Sequence, residues 1–304
     1  LEDGPFSEGK SKEISDKYVA VRLTGGDDIT PEVREFMTRY GVRGYPTLYV
    51  MNADGHLVVS RVGRSVDAML QALADGEQSE KELAEAKKKT DPEGKKALAG
   101  LLKDRLAWSD LAAMQQSDLK SAPSAGAYGE LARTYALAGR AADERATLEK
   151  AVSLYPDAKE RIAWRIRLAT MGVDFTKAAS RDEYVKLNDE AVKALDGLLA
   201  KLVEEKDAAG AATVHATMGN MLVSAGKADD AEKHFDAALA ADAKGAAAPS
   251  AMMGKANCAW SRKDYAACKA TLEKLIAEFP ASEEAKRAPK GIENCDKKLE
   301  SEKK

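Results

Sequence analysis

The feature that most constrains this chain is a set of small and bulky residues returning at fixed offsets in its second half. Leu131-Ala132, Tyr135, Gly139, Leu148 and Ala151 recur, at the same mutual spacings, as Met218-Gly219, Leu222, Gly226, Phe235 and Ala238. A third set is Ala256, Ala259, Lys263, Cys268, Leu272 and Leu275, with Pro280 following it as Pro156 follows the first. Intervals of three and four residues place each half-set on one helix face, and the Gly or Lys between the halves marks a turn. Small residues (Ala132, Gly219, Ala231, Ala256) let paired helices approach closely. Tyr135, Leu148, Phe235 and Leu272 fill the groove between them. A chain built this way buries its apolar faces by stacking each pair on the next.

The intervals are uneven: Gly139 and Gly226 are 87 positions apart, Gly226 and Lys263 only 37. The longer interval reads as one divergent pair with a lengthened second helix, carrying Tyr184, Leu187, Val192, Leu195, Leu199 and Leu202. Ser282 then caps a closing helix. Residues 125–304 therefore resemble the tetratricopeptide repeat, an antiparallel helix pair of about 34 residues. The resemblance implies a curved superhelix whose inner surface binds a peptide or another protein. Arg133, Arg165, Asn220 and Asn257 are polar residues on or near the first helices and are candidates for lining that groove; the alternative is a solvated helix face.

Residues 1–75 follow a different rule. Lys17–Leu23 alternates, with β-branched and aromatic residues, as a strand does. Thr30 and Pro31 open a helix with Val33, Phe36, Met37 and Tyr40 on one face. After Gly44-Tyr45-Pro46-Thr47 come a strand to Met51, an Asp54-Gly55 turn, a return strand over His56–Val62, and a helix capped by Ser65. Strand, helix, hairpin, helix with Gly-Tyr-Pro-Thr before the hairpin resembles the second half of a thioredoxin-like domain. That resemblance implies that Tyr45, Pro46 and Thr47 contact an extended substrate strand; the alternative is that Pro46 only shapes a turn. It also implies a C-x-x-C disulfide-exchange motif upstream of Leu1, or a missing central strand donated by a partner. The expected fold is thus α/β plus all-α: a partial thioredoxin-like sandwich, then a helical-hairpin superhelix.

Residues 76–124 read as a stiff helical connector. Glu77 and Lys81 are paired four apart on an exposed helix, and Asp91-Pro92 starts a hairpin with Leu98, Leu101, Leu102 and Leu106, then Leu111, Met114 and Leu119, inward.

Charge and motif content exclude several functions. With 47 basic against 50 acidic residues and a net charge of -3, no basic tract with aromatics suggests nucleic acid. No apolar run approaches the ~20 residues of a membrane span. No phosphate-cradling glycine loop or metal-ligand spacing calls for a cofactor or metal, and His215 and His234, on paired helices, supply only two nitrogens. Cys258, Cys268 and Cys295 form no C-x-x-C, so the chain as written has no catalytic residue for thiol exchange. Cys258 and Cys295, on helices expected to neighbour one another, are a candidate disulfide; all three could equally be small buried hydrophobes. The expected function is a protein-binding scaffold, with a thiol–disulfide oxidoreductase or a structural subunit as alternatives.

Overall fold

The computed structural model describes residues 18, 19, 21, 23, 29–44, 47–60, 62–178 and 180–302. Its contacts cluster into two units: Leu1–Pro123 with Arg133–Arg140, and Ser124–Ala132 with Ala141–Lys304.

In the first unit, helix α1 spans Pro31–Arg39; the Thr30 hydroxyl accepts the Val33 N–H at 3.4 Å and Pro31 occupies the first turn. Strands β1 (Tyr49–Met51) and β2 (Leu57–Ser60) pair antiparallel, with a register shift between Val50 and Met51. Asn52 closes their turn, its Oδ1 accepting from Asp54 N and His56 N at 3.1 and 2.9 Å. Helix α2, Val66–Ala86, is capped by Ser65 and runs unbroken through Gly76. There a Cβ would sit 3.2 Å from Val58 Cγ1, so the missing side chain seats the hairpin on the helix.

The described residues form less than a thioredoxin-like sandwich. Among the described residues the sheet has two strands. Tyr18, Val19, Val21 and Leu23, expected in a strand, lie outside any strand, and Val19 is 90% exposed. Lys17, Ala20 and Arg22 lie outside the described residues. An alternating segment becomes a strand only where a neighbour supplies a hydrogen-bonding ladder; the described hairpin supplies none to these residues.

Helices α3 (Pro92–Asp104) and α4 (Trp108–Ser121) form a hairpin around Leu83, Leu102, Ala107 and Leu111. Arg105, 3% exposed, ties this hairpin to the rest of its unit. Its carbonyl accepts from Leu57 N at 2.9 Å, and its guanidinium donates to Glu80 at 2.5 Å and to Ser79 Oγ at 2.6 Å.

Helix α5, Ala125–Leu137, runs through both units. In the second follow α6 (Ala141–Leu154), α7 (Arg161–Thr170), α8 (Arg181–Glu204), α9 (Ala208–Ser224), α10 (Ala228–Ala241), α11 (Ala248–Ser261), α12 (Tyr265–Glu278) and α13 (Glu283–Glu302). The 10-residue α7 and 24-residue α8 occupy the long interval of the repeat.

One turn recurs. Leu106, Gly139, Lys206, Gly226 and Lys263 all have left-handed backbone, φ 54 to 81°. The next residue's N–H reaches back across the helix end each time, Ala107 to Leu102, Arg140 to Tyr135, Asp207 to Leu202, Lys227 to Leu222 and Asp264 to Ala259, each at 2.9 Å. This six-to-one bond satisfies a carbonyl that the helix end would otherwise leave unpaired. The α3–α4 connector therefore turns as the repeats do.

The core of the second unit is organised by close helix approach. Phe235 of α10 is fully buried between two glycines: a Cβ on Gly219 of α9 would lie 2.5 Å from its ring, and one on Gly254 of α11 2.2 Å. One repeat further, a Cβ on Gly291 of α13 would lie 2.7 Å from Leu272 of α12. No helix among the described residues is long and apolar enough to cross a membrane.

Candidate functional site

A stack of hairpins leaves one face of each first helix free of its partner. On α9, the residues not fully buried include Thr213, Thr217 and the exposed Asn220; on α11 they include Ser250, Met253 and the exposed Asn257. The two helices are neighbours, and Asn220 Nδ2 donates to Ser250 Oγ at 3.4 Å. Asn220 and Asn257 are 37 positions apart, the repeat interval, so they occupy equivalent places. The same step reaches Asn294 on α13, also exposed. Asn220, Asn257 and Asn294 thus form a ladder, one rung per first helix. Asn220 and Asn257 were groove candidates from the sequence; adding the repeat interval to Asn257 gives Asn294.

The same offset from Ser250 and Met253 lands on Arg287 and Lys290 of α13, both exposed and neither in an ion pair among the described residues. The open face therefore runs from neutral on α9 and α11 to basic on α13.

Arg165 is not part of this ladder. Its guanidinium is bidentate to Glu205 at 2.5 and 2.8 Å, and this bond holds the Glu205 carboxyl below the usual carboxylate range. It lines a cleft of about 440 Å³ together with Val152, Leu168, Ala169, Leu198 and Lys201. Arg133 is exposed and belongs to the other unit.

Of the proposed substrate-contact residues, Tyr45 and Pro46 lie outside the described residues. Thr47 donates to Gly44 O at 2.5 Å and borders a cleft of about 500 Å³ shared with Tyr40, Arg43 and Tyr49.

The three cysteines are free and buried, and the geometry redirects the expected pairing. Cys258 packs with Ala231 and Phe235, whereas Cys295 packs with Cys268 and Leu272. Cys258 and Cys295 are themselves one repeat apart, so each faces the second helix preceding it rather than the other. Burial pushes the Cys258 thiol up to about 11; burial, then the hydrogen bond to Cys295, pushes Cys268 up to about 12.

Sequence reasoning also missed Glu144. It stands where the later repeats have Ala231 and Cys268, is 3% exposed, and receives a bidentate bond from Arg167 at 2.5 and 2.9 Å. Among the described residues no group of three or more ligating side chains is arranged for a metal.

The family model for the tetratricopeptide repeat matches residues 125–158. No curated protein matches the sequence. Among solved structures, a thermophilic TPR protein of Thermus thermophilus is similar at 18% identity and TM-score 0.42, covering 66% of this chain and 98% of that one. Yeast Tom70 is similar at 16% identity and TM-score 0.38, covering 95% of this chain and 61% of its own. The TPR2AB domain of yeast Sti1, in complex with pHSP90, is similar at 12% identity and TM-score 0.30, covering 75% and 93%. With TM-scores below 0.5, these likenesses add nothing to what the chain's own geometry shows.

Proposed function

We propose that residues 125–304 act as a protein-binding scaffold whose ladder of Asn220, Asn257 and Asn294 holds an extended segment of a partner protein, acidic at the end that lies on α13. The observation that carries this reading is the recurrence of an exposed asparagine at one repeat interval on three successive first helices. A primary amide offers two donors and an acceptor, so each rung can bond both the N–H and the C=O of a peptide backbone without selecting its side chain. Packed helices lie roughly 8–10 Å apart, about three residues of extended chain at ~3.3 Å each. Selectivity then comes from charge: Arg287 and Lys290 favour acidic residues at one end.

The thiol–disulfide oxidoreductase reading gains no support. Thiol exchange is carried by the thiolate, and Cys258 and Cys268 are buried with their pKa pushed up to about 11 and 12. The thioredoxin-like reading of residues 1–75 rests on the Gly44–Thr47 sequence and the hairpin alone.

The test is selection of a random peptide library against the full chain, with peptides of roughly twelve residues, long enough to cross three rungs. Enrichment of peptides with Asp or Glu toward one end, lost when Arg287 and Lys290 are both changed to Glu, supports the reading. No enrichment, or enrichment indifferent to those changes, refutes it.

A further inference from the structure

We infer that Cys268 and Cys295 form a reversible disulfide that staples the closing helix α13 to the last repeat, leaving Cys258 as a free thiol. The register of the two helices carries this. Two contacts and one shared core fix α12 and α13 antiparallel. Leu272 sits against Gly291, where a Cβ would be 2.7 Å away. Lys269 Nζ meets Asp296 Oδ1 at 2.6 Å. Cys268 and Cys295 are both buried in one core cluster with Leu272 and Ala288. Cys268 is one helical turn before Leu272, and Cys295 one turn after Gly291, as facing positions in an antiparallel pair must be. Gly291 and the buried Ala288 let the backbones approach closely, which a disulfide requires, since its Cα atoms must lie within ~7 Å.

The oxidant is a small-molecule disulfide, R–S–S–R. The Cys295 thiolate attacks one sulfur of R–S–S–R, forming a mixed disulfide and expelling one R–S⁻. The Cys268 thiolate then attacks Cys295 Sγ, forming the protein disulfide and expelling the second R–S⁻. The two protons lost by the cysteines end on two R–SH, so two protein thiols are oxidised as one small disulfide is reduced. Both sulfurs are buried, 4% and 0% exposed for the two residues. The first attack therefore proceeds during folding, or when α13, the last element of the stack, opens locally.

Asn294 lies beside Cys295, so the staple also fixes the third rung of the ladder. That consequence rests on the proposed function; the disulfide itself does not.

The experiment refolds the full chain from urea in a glutathione redox buffer, quenches it with an alkylating agent and maps tryptic peptides by mass spectrometry. The three cysteines fall in separate peptides, Ala256–Arg262, Asp264–Lys269 and Gly291–Lys297. The result expected is Asp264–Lys269 linked to Gly291–Lys297, with Cys258 alkylated, exceeding every other linkage by roughly tenfold or more because folding raises the effective concentration of one pair. Chain statistics alone favour the opposite: Cys258 and Cys268 are closer in sequence, and shorter loops close more readily. Full alkylation of Cys268 and Cys295 in oxidising buffer, or a dominant link through Cys258, overturns the inference. Cys258→Ala keeps the expected link and tests it even if Cys268→Ala or Cys295→Ala fails to fold.

Discussion

His215 Nδ1 and His234 Nδ1 face each other at 3.1 Å across the helix pair α9–α10. Such a contact needs one N–H to donate into the other ring's lone pair, so it survives with both imidazoles neutral or one protonated, and breaks when both are charged. Burial is the main cause holding both pKa values below the usual range. His234 depresses His215 further, and Lys233 depresses His234; Asp196 opposes both shifts, and Asp230 opposes that of His234.

Stability should therefore fall on mild acidification. A depressed folded-state pKa means that the unfolded chain takes up protons first. The pair's contribution is complete above the ordinary value of 6.5 and is lost as pH drops below it toward the folded pKa values. Thermal unfolding followed from pH 8 to 5 should show a plateau and then a declining Tm. His234→Asn should flatten the decline, and a Tm that rises on acidification would contradict the assignment.

Gly254→Ala should be costly for its size. The added Cβ lands 2.2 Å from the Phe235 ring in a core with no slack, and overpacking of this kind costs about 1–3 kcal/mol. Combining it with Phe235→Leu should recover part of the loss, measured as a coupling energy in a double-mutant cycle by urea unfolding. Additive losses would show that the two residues are not in contact.

Leu106, Lys206 and Lys263 hold left-handed backbone without being glycine. Replacing each by Gly removes the Cβ penalty of that conformation. At the exposed Lys206 and Lys263 each single substitution should stabilise the chain by about 0.5–1 kcal/mol, whereas Leu106, half-buried, also forfeits packing; Gly226→Ala should destabilise the chain by a similar amount. Chemical denaturation midpoints decide, with m-values unchanged.

The Glu144–Arg167 pair should respond asymmetrically. Arg167→Ala leaves a buried carboxylate without its cation, a loss of about 2–3 kcal/mol. Glu144→Ala restores the small residue of the other repeats and leaves only Arg167, which is half-exposed and can turn to water, so its cost should be clearly smaller. Equal losses would mean that burial of Glu144 is not what the pair relieves.

How much of this was legible in the sequence depended on whether a residue's partner shares its periodicity. Gly219 and Phe235 sit at recurring offsets, so their contact could be read directly. Gly254 could not, because its counterpart one repeat earlier is Thr217 and the glycine returns only at Gly291. Leu106 hid a repeat-type turn because it adopts a glycine's conformation without being one. The sequence offered Cys258 with Cys295, whereas the two lie in different core clusters: residues one repeat apart point the same way, each at the preceding second helix. At the described residues 18, 19, 21 and 23 the expected strand is not seen, because alternation identifies a face but not the neighbour that must hydrogen-bond to it.

The ladder is tested most directly by titrating the full chain with an acid-tipped peptide obtained by selection, against Asn220→Ala, Asn257→Ala and Asn294→Ala singly and together. All three side chains are exposed, so the substitutions should leave Tm unchanged. Each lost rung should weaken binding by roughly three- to tenfold, the net worth of about 1 kcal/mol for the two solvent-exposed hydrogen bonds of one rung, and the triple variant should lose the product of the three. Binding unchanged in the triple variant, with the fold intact, would contradict the account.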